Sequence, residues 1–124
     1  MKTEMRYIEL KTGFSDDGPA WIAPAAFSKT GKTVYFNNHA FIRYNGISGN
    51  YADIETGEEY WISGVKRTGS NRCPWSRDKI TVARNVLDEF LALTGQASLD
   101  SSQYEIADIP ANYPVERIRA LLND

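Results

Sequence analysis

The sequence predicts an α+β fold, in the form of a small curled antiparallel β-sheet or an SH3-like barrel with one amphipathic helix at about 84–94 and a short C-terminal helix. Strand-like segments separated by Gly-, Asn- or Pro-containing turns fill the chain up to residue 83, and helical periodicity follows. Seven Tyr, five Phe and three Trp also favour a sheet, because flat rings pack well on a pleated surface. A chain of 124 residues predicts a single domain, 1–124.

Each predicted strand combines β-branched or aromatic residues with turn residues at its ends. The segment 60–67 shows the clearest alternation, with Trp61 on one face and Tyr60 and Ile62 on the other. Pro24 cannot donate a backbone hydrogen bond, so its segment is predicted to be an edge strand, to bend or to carry a bulge. The predicted strands are 4–12, 20–28, 33–37, 39–44, 60–67 and 79–83, with shorter ones near Tyr51 and at 103–109.

The hydrophobic period changes from that of a strand to that of a helix in the segment 84–94. Val86, Phe90 and Leu93 recur at helical spacing, and Gly95 is a natural residue for ending the helix. A second, shorter helix is predicted at 114–122, with Val115, Ile118 and Leu122 facing inward.

Composition excludes several kinds of site and compartment. Cys73 is the only cysteine and His39 the only histidine, so one chain can form neither an internal disulfide nor a multi-thiolate or His-rich metal site. The N-terminus lacks the apolar run of a signal peptide, and no stretch is long and apolar enough to span a membrane. We therefore expect a cytoplasmic protein. The net charge of −2 argues against bulk attraction to nucleic acid or anionic lipid.

Three segments of the chain resemble a family of short, uncharacterised bacterial proteins. They are MRYIELKTGFSDDGPAWI, GISGNYADIETGEEYWISGVKR and a W-x-x-D-K-I stretch that begins at Trp75, and the resemblance covers roughly residues 5–95. Members of that family often carry the label 1-deoxy-D-xylulose-5-phosphate synthase. They tend to have a His just before the Trp, where this chain has Cys73 and Pro74.

The synthase label does not suit this chain. The synthase is a large thiamine-diphosphate enzyme, and such cofactor sites need a Gly-Asp-Gly stretch with a downstream Asn to hold a metal and the diphosphate. This sequence has neither element, so we expect no cofactor. The resemblance implies no established activity.

Nucleophilic catalysis would have to use Cys73 with His39. A thiolate nucleophile needs a base within hydrogen-bond reach and a third group to orient that base. Arg72 and Arg77 lie near Cys73 in sequence and would favour the thiolate. The spacing does not place the histidine near the cysteine, so a loop cysteine and a strand-end histidine are the simpler interpretation.

An acidic cluster, Asp53, Glu55, Glu58 and Glu59, offers carboxylates for acid–base chemistry or for calcium. The calcium pattern is incomplete, and charge runs of this kind are usually solvated turns. The glycines of 46–50 match neither a phosphate-binding loop nor a dinucleotide fingerprint. We therefore interpret the acidic cluster as a solvated turn, and these glycines as positive-φ residues of a tight hairpin.

Charge is distributed unevenly, and this asymmetry is the main indication of function. Residues 60–84 carry six basic side chains against one acidic side chain, Asp78, and Trp75 lies among them. The basic side chains are those of Lys66, Arg67, Arg72, Arg77, Lys79 and Arg84.

The sequence therefore predicts a non-enzymatic binding module whose binding residues are Arg67, Arg72, Trp75, Arg77 and Lys79, in the loop 66–79. Arginines grip acidic groups through paired hydrogen bonds, and an indole supplies contact area, so the expected partner is a protein with an acidic surface. Three alternatives stay open. The same loop could bind nucleic acid, the chain could be a small enzyme using Cys73 or residues 53–59, or the basic loop could simply fold onto the acidic one. Trp21 and Trp61 are interpreted as core or half-buried packing residues.

Overall fold

A computed structural model describes residues 2–11, 18–67, 79–110 and 112–122. Along these residues the chain forms strands first and α-helices last, as the sequence predicts. A turn of 3-10 helix at Arg84–Val86 leads into the first α-helix. The elements are β1 (Lys2–Leu10), β2 (Ala20–Phe27), β3 (Thr33–Phe36), β4 (His39–Arg43), β5 (Tyr51–Asp53), β6 (Glu59–Ser63), β7 (Ile80–Ala83), α1 (Leu87–Thr94), β8 (Tyr104–Ala107) and α2 (Val115–Leu122).

The first six strands close into an antiparallel barrel. Each strand pairs with the next one along the chain, and β6 returns to pair with β1. Ile8 of β1 lies opposite Trp21 of β2 on one side and Ile62 of β6 on the other. The predicted fold class, a small α+β barrel of SH3-like type, is confirmed.

The barrel interior is filled by alternate residues of the six strands, because partners opposite each other in an antiparallel ladder share a face. The rings of Phe41 and Tyr60 meet at a centroid distance of 4.5 Å. Among the described residues, the buried side chains on this face include Ile8, Ala23, Ala25, Val34, Phe36, Phe41, Tyr51, Tyr60 and Ile62.

Pro24 marks the point at which β2 changes partner. β2 pairs with β1 along its whole length, whereas its other side pairs with β7 at Ala20–Ile22 and with β3 at residues 26–27. Ser28 donates its N–H to the Thr33 carbonyl at 2.9 Å, so even-numbered residues of β2 direct their backbone groups toward that second side. The missing N–H of Pro24 therefore falls between the two partners, where no donor is required.

Two parallel strands extend the sheet beyond the barrel. β7 pairs with β2, and β8 pairs with β7, which makes β8 the last strand in the order given by the described residues. α1 covers the outer face of these strands. Phe90 is buried there, and its ring meets that of Tyr104 edge-on at 5.5 Å. Gly95 ends the helix with a φ of 71°, as the sequence predicts.

α2 packs on a different part of the barrel's outer surface. Ile118 is fully buried in a cluster with Ala26, Tyr35 and Ala40, and the Tyr35 ring contacts that of Tyr113 at 6.2 Å. The predicted helix 114–122 is thus confirmed, and so is the inward position of Ile118. In the described part of the chain, neither helix has the length and hydropathy needed to cross a lipid bilayer.

The turn between β3 and β4 uses two asparagines that the sequence analysis did not recognise as a turn. Phe36 and His39 pair directly across it, and the intervening Asn37 and Asn38 have φ values of 48° and 65°. Asparagine tolerates this left-handed conformation better than other side-chain-bearing residues, and two such residues form the preferred tight hairpin turn.

We expect Ile118→Ala to lower the free energy of unfolding by about 3 kcal/mol, because it leaves a cavity beneath α2. Leu121→Ala is the matched control on the same helix. The Leu121 side chain is 56% exposed, and its loss should change stability by less than about 0.5 kcal/mol. Urea unfolding followed by far-UV circular dichroism measures both. Equal effects would show that α2 is not docked through Ile118.

Candidate functional site

The structure describes the two ends of the predicted binding loop and not its middle. Arg72, Trp75 and Arg77 lie outside the described residues, as does Cys73. Arg67 and Lys79 are described, and both are exposed. Neither forms an ion pair with another residue that the structure describes, so the cations at both ends of the loop are available to a ligand.

Asp53 is a structural carboxylate and not a solvated one. Its side chain is fully buried, and its Oδ1 accepts the backbone N–H groups of Glu55 and Thr56 at 2.8 and 3.2 Å. Its Oδ2 lies 3.0 Å from His39 Nδ1. These bonds close the turn between β5 and β6, since a short Asp side chain can replace a backbone acceptor in such turns.

Glu59 holds the loop that precedes β5. Its Oε1 accepts the N–H groups of Ser48 and Gly49 at 3.0 and 2.8 Å. A Cβ atom added to Gly46 would lie 2.1 Å from that oxygen, and one added to Gly49 would lie 2.6 Å from the Tyr60 carbonyl oxygen.

Two sequence interpretations of this region are therefore wrong. The acidic cluster is not simply a solvated turn, because Asp53 and Glu59 are engaged by backbone N–H groups. Gly46 and Gly49 do not have positive φ either. They are glycines because the loop passes too close to Glu59 and Tyr60 for a side chain to fit.

Glu55 attaches α2 to the barrel. Its two oxygens take paired bonds from Arg117 Nε and Nη2 at 3.0 and 2.8 Å, and Arg117 also donates to the Asn38 carbonyl oxygen at 2.7 Å. The hydrogen bond from Arg117 lowers the pKa of Glu55 from its ordinary value of 4.5. Arg117 therefore satisfies the carboxylate of Glu55.

The His39–Asp53 pair is the arrangement closest to catalytic chemistry. His39 is half exposed, and the buried carboxylate orients its ring. No hydroxyl of a described residue hydrogen-bonds to His39, so no activated nucleophile is found in the described part of the chain. Burial raises the pKa of nearby Tyr60 to about 12, farther from the range that a general base requires.

The described residues do not bring together a set of side chains that could bind a metal ion. No group of three or more His, Cys, Asp or Glu side chains lies close enough there to hold an ion. Asp53 Oδ1 and Glu59 Oε1 each accept two backbone N–H groups instead.

A groove opens between α1 and β8, beside Lys79. Its volume is about 540 Å³. Leu87 and Leu91 contribute from α1, and Tyr104 and Ile106 contribute from β8. Most of the lining of this groove is apolar, and the charged side chains of Lys79 and Glu105 also line it. A groove of this size suits an apolar side chain, and Lys79 can accept an adjacent acidic group. It is larger than two other grooves on the described surface, one beside Arg84 and one beside Pro19, which have volumes of about 280 and 310 Å³.

The exposed edge of β8 forms one wall of this groove. Ile80 donates its N–H to the Gln103 carbonyl at 3.0 Å, so residues 103, 105 and 107 direct their backbone groups toward β7. Tyr104 and Ile106 direct their backbone groups away from β7. The Tyr104 N–H is bonded to the Asp100 carbonyl at 3.0 Å, whereas no described residue pairs with the backbone of Ile106.

The two described tryptophans differ. Trp21 is half buried and its ring contacts Phe36 at 5.4 Å, in agreement with its predicted packing role. Trp61 is on the outer face of β6 and 41% exposed, so the expectation of core or half-buried packing is wrong for this residue. Its strand alternates as predicted, with Tyr60 and Ile62 buried.

Comparison with protein-family models, with curated proteins and with solved structures gives no match. The resemblance to a family of short bacterial proteins therefore stays a prediction, and the site has to be interpreted from its own chemistry.

Sequence reasoning placed Lys79 in a binding surface but missed the groove beside it. The groove forms because α1 lies beside β8, and local sequence patterns do not predict that contact. A signal was present, because Leu87 and Leu91 widen the apolar stripe of the helix beyond what Val86 and Phe90 need for packing on the sheet.

We expect Gly49→Ala to destabilise the chain by about 2 kcal/mol, because its methyl group would meet the Tyr60 carbonyl. Gly64→Ala is the matched control, since a Cβ at Gly64 meets no atom within 4 Å. Thermal unfolding of both variants measures the difference. A Gly49→Ala protein as stable as Gly64→Ala would contradict the close approach of this loop to β6.

We expect Arg117→Ala to raise the pKa of Glu55 toward 4.5, because it removes the bond that lowers this pKa. A carboxyl whose pKa is lower in the folded chain adds stability above its unfolded pKa and loses it as the pH falls through the folded value. The stabilisation by this pair is therefore lost in acid.

Carbon NMR titration of the side-chain carboxyls measures the Glu55 pKa. Glu4 is the internal control, since Lys2 and Arg6 lower its pKa independently of α2. An unchanged Glu55 titration in Arg117→Ala would show that the pair does not form in solution.

Proposed function

We propose that this chain is a non-enzymatic protein-binding module that acts in the bacterial cytoplasm. Its binding residues are Arg67, Arg72, Trp75, Arg77 and Lys79, and its partner is a protein with an acidic surface. The loop supplies cations that grip carboxylates and an indole that supplies contact area.

One observation carries this proposal: three of the four acidic residues in the cluster that could have neutralised the loop are bound elsewhere. Asp53 binds His39 and backbone donors, Glu55 binds Arg117, and Glu59 binds the preceding loop. Arg67 and Lys79 have no ion-pair partner among the described residues. An external acidic partner can therefore meet cations whose charge has not been compensated within the described chain.

The groove favours a protein partner over nucleic acid. Its apolar walls, formed in part by Leu91 and Ile106, are adjacent to Lys79. Such a surface suits a partner that combines apolar and acidic side chains, as protein interfaces do. Nucleic-acid grooves instead combine a long basic track with stacking aromatics, and the net charge of −2 gives no general attraction to phosphate.

The carboxylates that a small enzyme would use are committed to structure. Asp53 is buried beneath its turn, and Glu59 accepts two backbone N–H groups. These bonds hold both carboxylates in place, whereas acid–base catalysis requires a carboxyl that can reach a substrate. This supports a binding role for the chain.

A pull-down tests this proposal: the tagged full chain is used to recover partners from extracts of the native cell. We expect the double variant Trp75→Ala with Arg72→Ala to reduce recovery at least about tenfold, because a central indole and an arginine commonly dominate such interfaces. The control is Trp61→Ala with Lys32→Ala, which removes an exposed indole and an exposed cation elsewhere. Recovery that falls equally in both double variants, or in neither, would overturn the proposal.

The salt dependence of binding distinguishes nucleic-acid binding from protein binding. A fluorescent single-stranded oligonucleotide should show no binding at low salt. Tight binding that weakens steeply with added salt and depends on Arg72 and Trp75 would overturn protein binding in favour of nucleic-acid binding.

A further inference from the structure

We propose that the groove between α1 and β8 binds an extended peptide segment of the partner, which pairs with the free edge of β8 as an added strand. This inference rests on the proposed protein-binding function and specifies the conformation and side-chain pattern of the ligand. Strand addition of this kind obtains affinity from main-chain hydrogen bonds and specificity from alternate side chains.

The backbone of β8 supplies three unfilled groups for this pairing within the described part of the chain. Both the N–H and the C=O of Ile106 point away from β7, and so does the C=O of Tyr104. An antiparallel strand can exchange both of its bonds with Ile106 through a single residue. The Tyr104 N–H is already satisfied by Asp100, so the added strand pairs mainly around Ile106.

The side chains beside this edge match an alternating ligand. Residues of an added strand point alternately to the two faces of the sheet. One of these faces is toward α1, where Leu87, Leu91, Tyr104 and Ile106 all line the groove. Ile106 is 40% exposed, so apolar surface is available for burial. Every second residue of the peptide should therefore be apolar, and those between them can be polar.

β8 carries few of the features that normally block an edge strand. Lysine and proline are absent from Tyr104–Ala107, and the charged Glu105 accepts the Thr81 hydroxyl at 3.1 Å. Two charged side chains line the groove beside this edge, those of Lys79 and Glu105.

Lys79 sets the direction of the peptide. It immediately precedes Ile80, which pairs with Tyr104, so it lies at the beginning of β8. The C-terminal end of an antiparallel strand reaches the same point. Glu105 lies farther along β8 and repels an acidic group there. The two charges together therefore favour a peptide whose acidic group follows its apolar residues.

The probe is a fluorescein-labelled, C-amidated peptide in which leucine and threonine alternate and aspartates close the C-terminal end. We expect it to bind the full chain by fluorescence anisotropy. A peptide of reversed sequence and identical composition should bind at least about tenfold more weakly, because its aspartates lie away from Lys79. Equal affinity of the two peptides would overturn the assigned direction.

Backbone N-methylation tests strand addition without altering the protein. Only alternate peptide residues direct their N–H toward β8, so single N-methyl groups along the peptide should alternate between at least about tenfold loss and little effect. In the same complex the Ile106 amide should become protected from hydrogen exchange. Binding that lacks the alternation, or that leaves the Ile106 amide unprotected, would overturn strand addition.

A protein variant completes the test. Leu91→Glu should abolish peptide binding, whereas Leu121→Glu on the exposed face of α2 should leave it unchanged. Circular dichroism measures whether both variants are folded. If Leu91→Glu is unfolded, the N-methylated peptides test strand addition in its place. Absence of peptide binding to the wild-type chain would overturn this inference alone, because the pull-down with the Trp75 and Arg72 variants tests the proposed function independently.

Discussion

The architecture depends on β2, which must serve two partners along one side. A barrel closed by antiparallel pairing alone would have no edge, and it would offer a ligand only its loops. Here β3 pairs only with the end of β2, and Pro24 removes the donor at the point where that pairing stops. The beginning of β2 is then open to β7, and β7 in turn to β8. The result is a barrel with a parallel extension that ends in an edge strand among the described residues.

This extension separates the structural charges from those available for binding. The carboxylates of Asp53 and Glu59 lie in the barrel's own turns, and Arg117 fastens α2 to the same end through Glu55. At the extension, Lys79 borders an apolar groove and has no ion-pair partner in the described ranges. A weakly acidic chain can therefore still present a locally basic surface, because most of its compensating acids are engaged elsewhere.

Much of the fold follows from residues that sequence reasoning can interpret. The alternation of Tyr60 and Ile62 with Trp61, the helical stripe through Phe90 and the terminating Gly95 each act over a few residues, and each was predicted correctly. The predictions that were wrong concern features that depend on contacts between residues distant in sequence. Gly49 is needed because of the Tyr60 carbonyl eleven positions along the chain, which no local pattern reveals.

The same limit applies to the site. Lys79 was identified from the local charge pattern, whereas the groove required knowing that α1 lies against β8. Trp61 was assigned to packing because its neighbours are apolar, although its own face of the strand points outward. Burial of a strand residue depends on which face is covered, and only tertiary structure decides that.

Amide hydrogen exchange in the isolated full chain can show whether the sheet ends in an open edge at β8. We expect the Glu105 amide, which is bonded to β7, to be protected, and the Ile106 amide to exchange at close to the rate of an unstructured peptide. Equal protection of the two amides would contradict the account, because it would mean that another part of the chain already pairs with this edge.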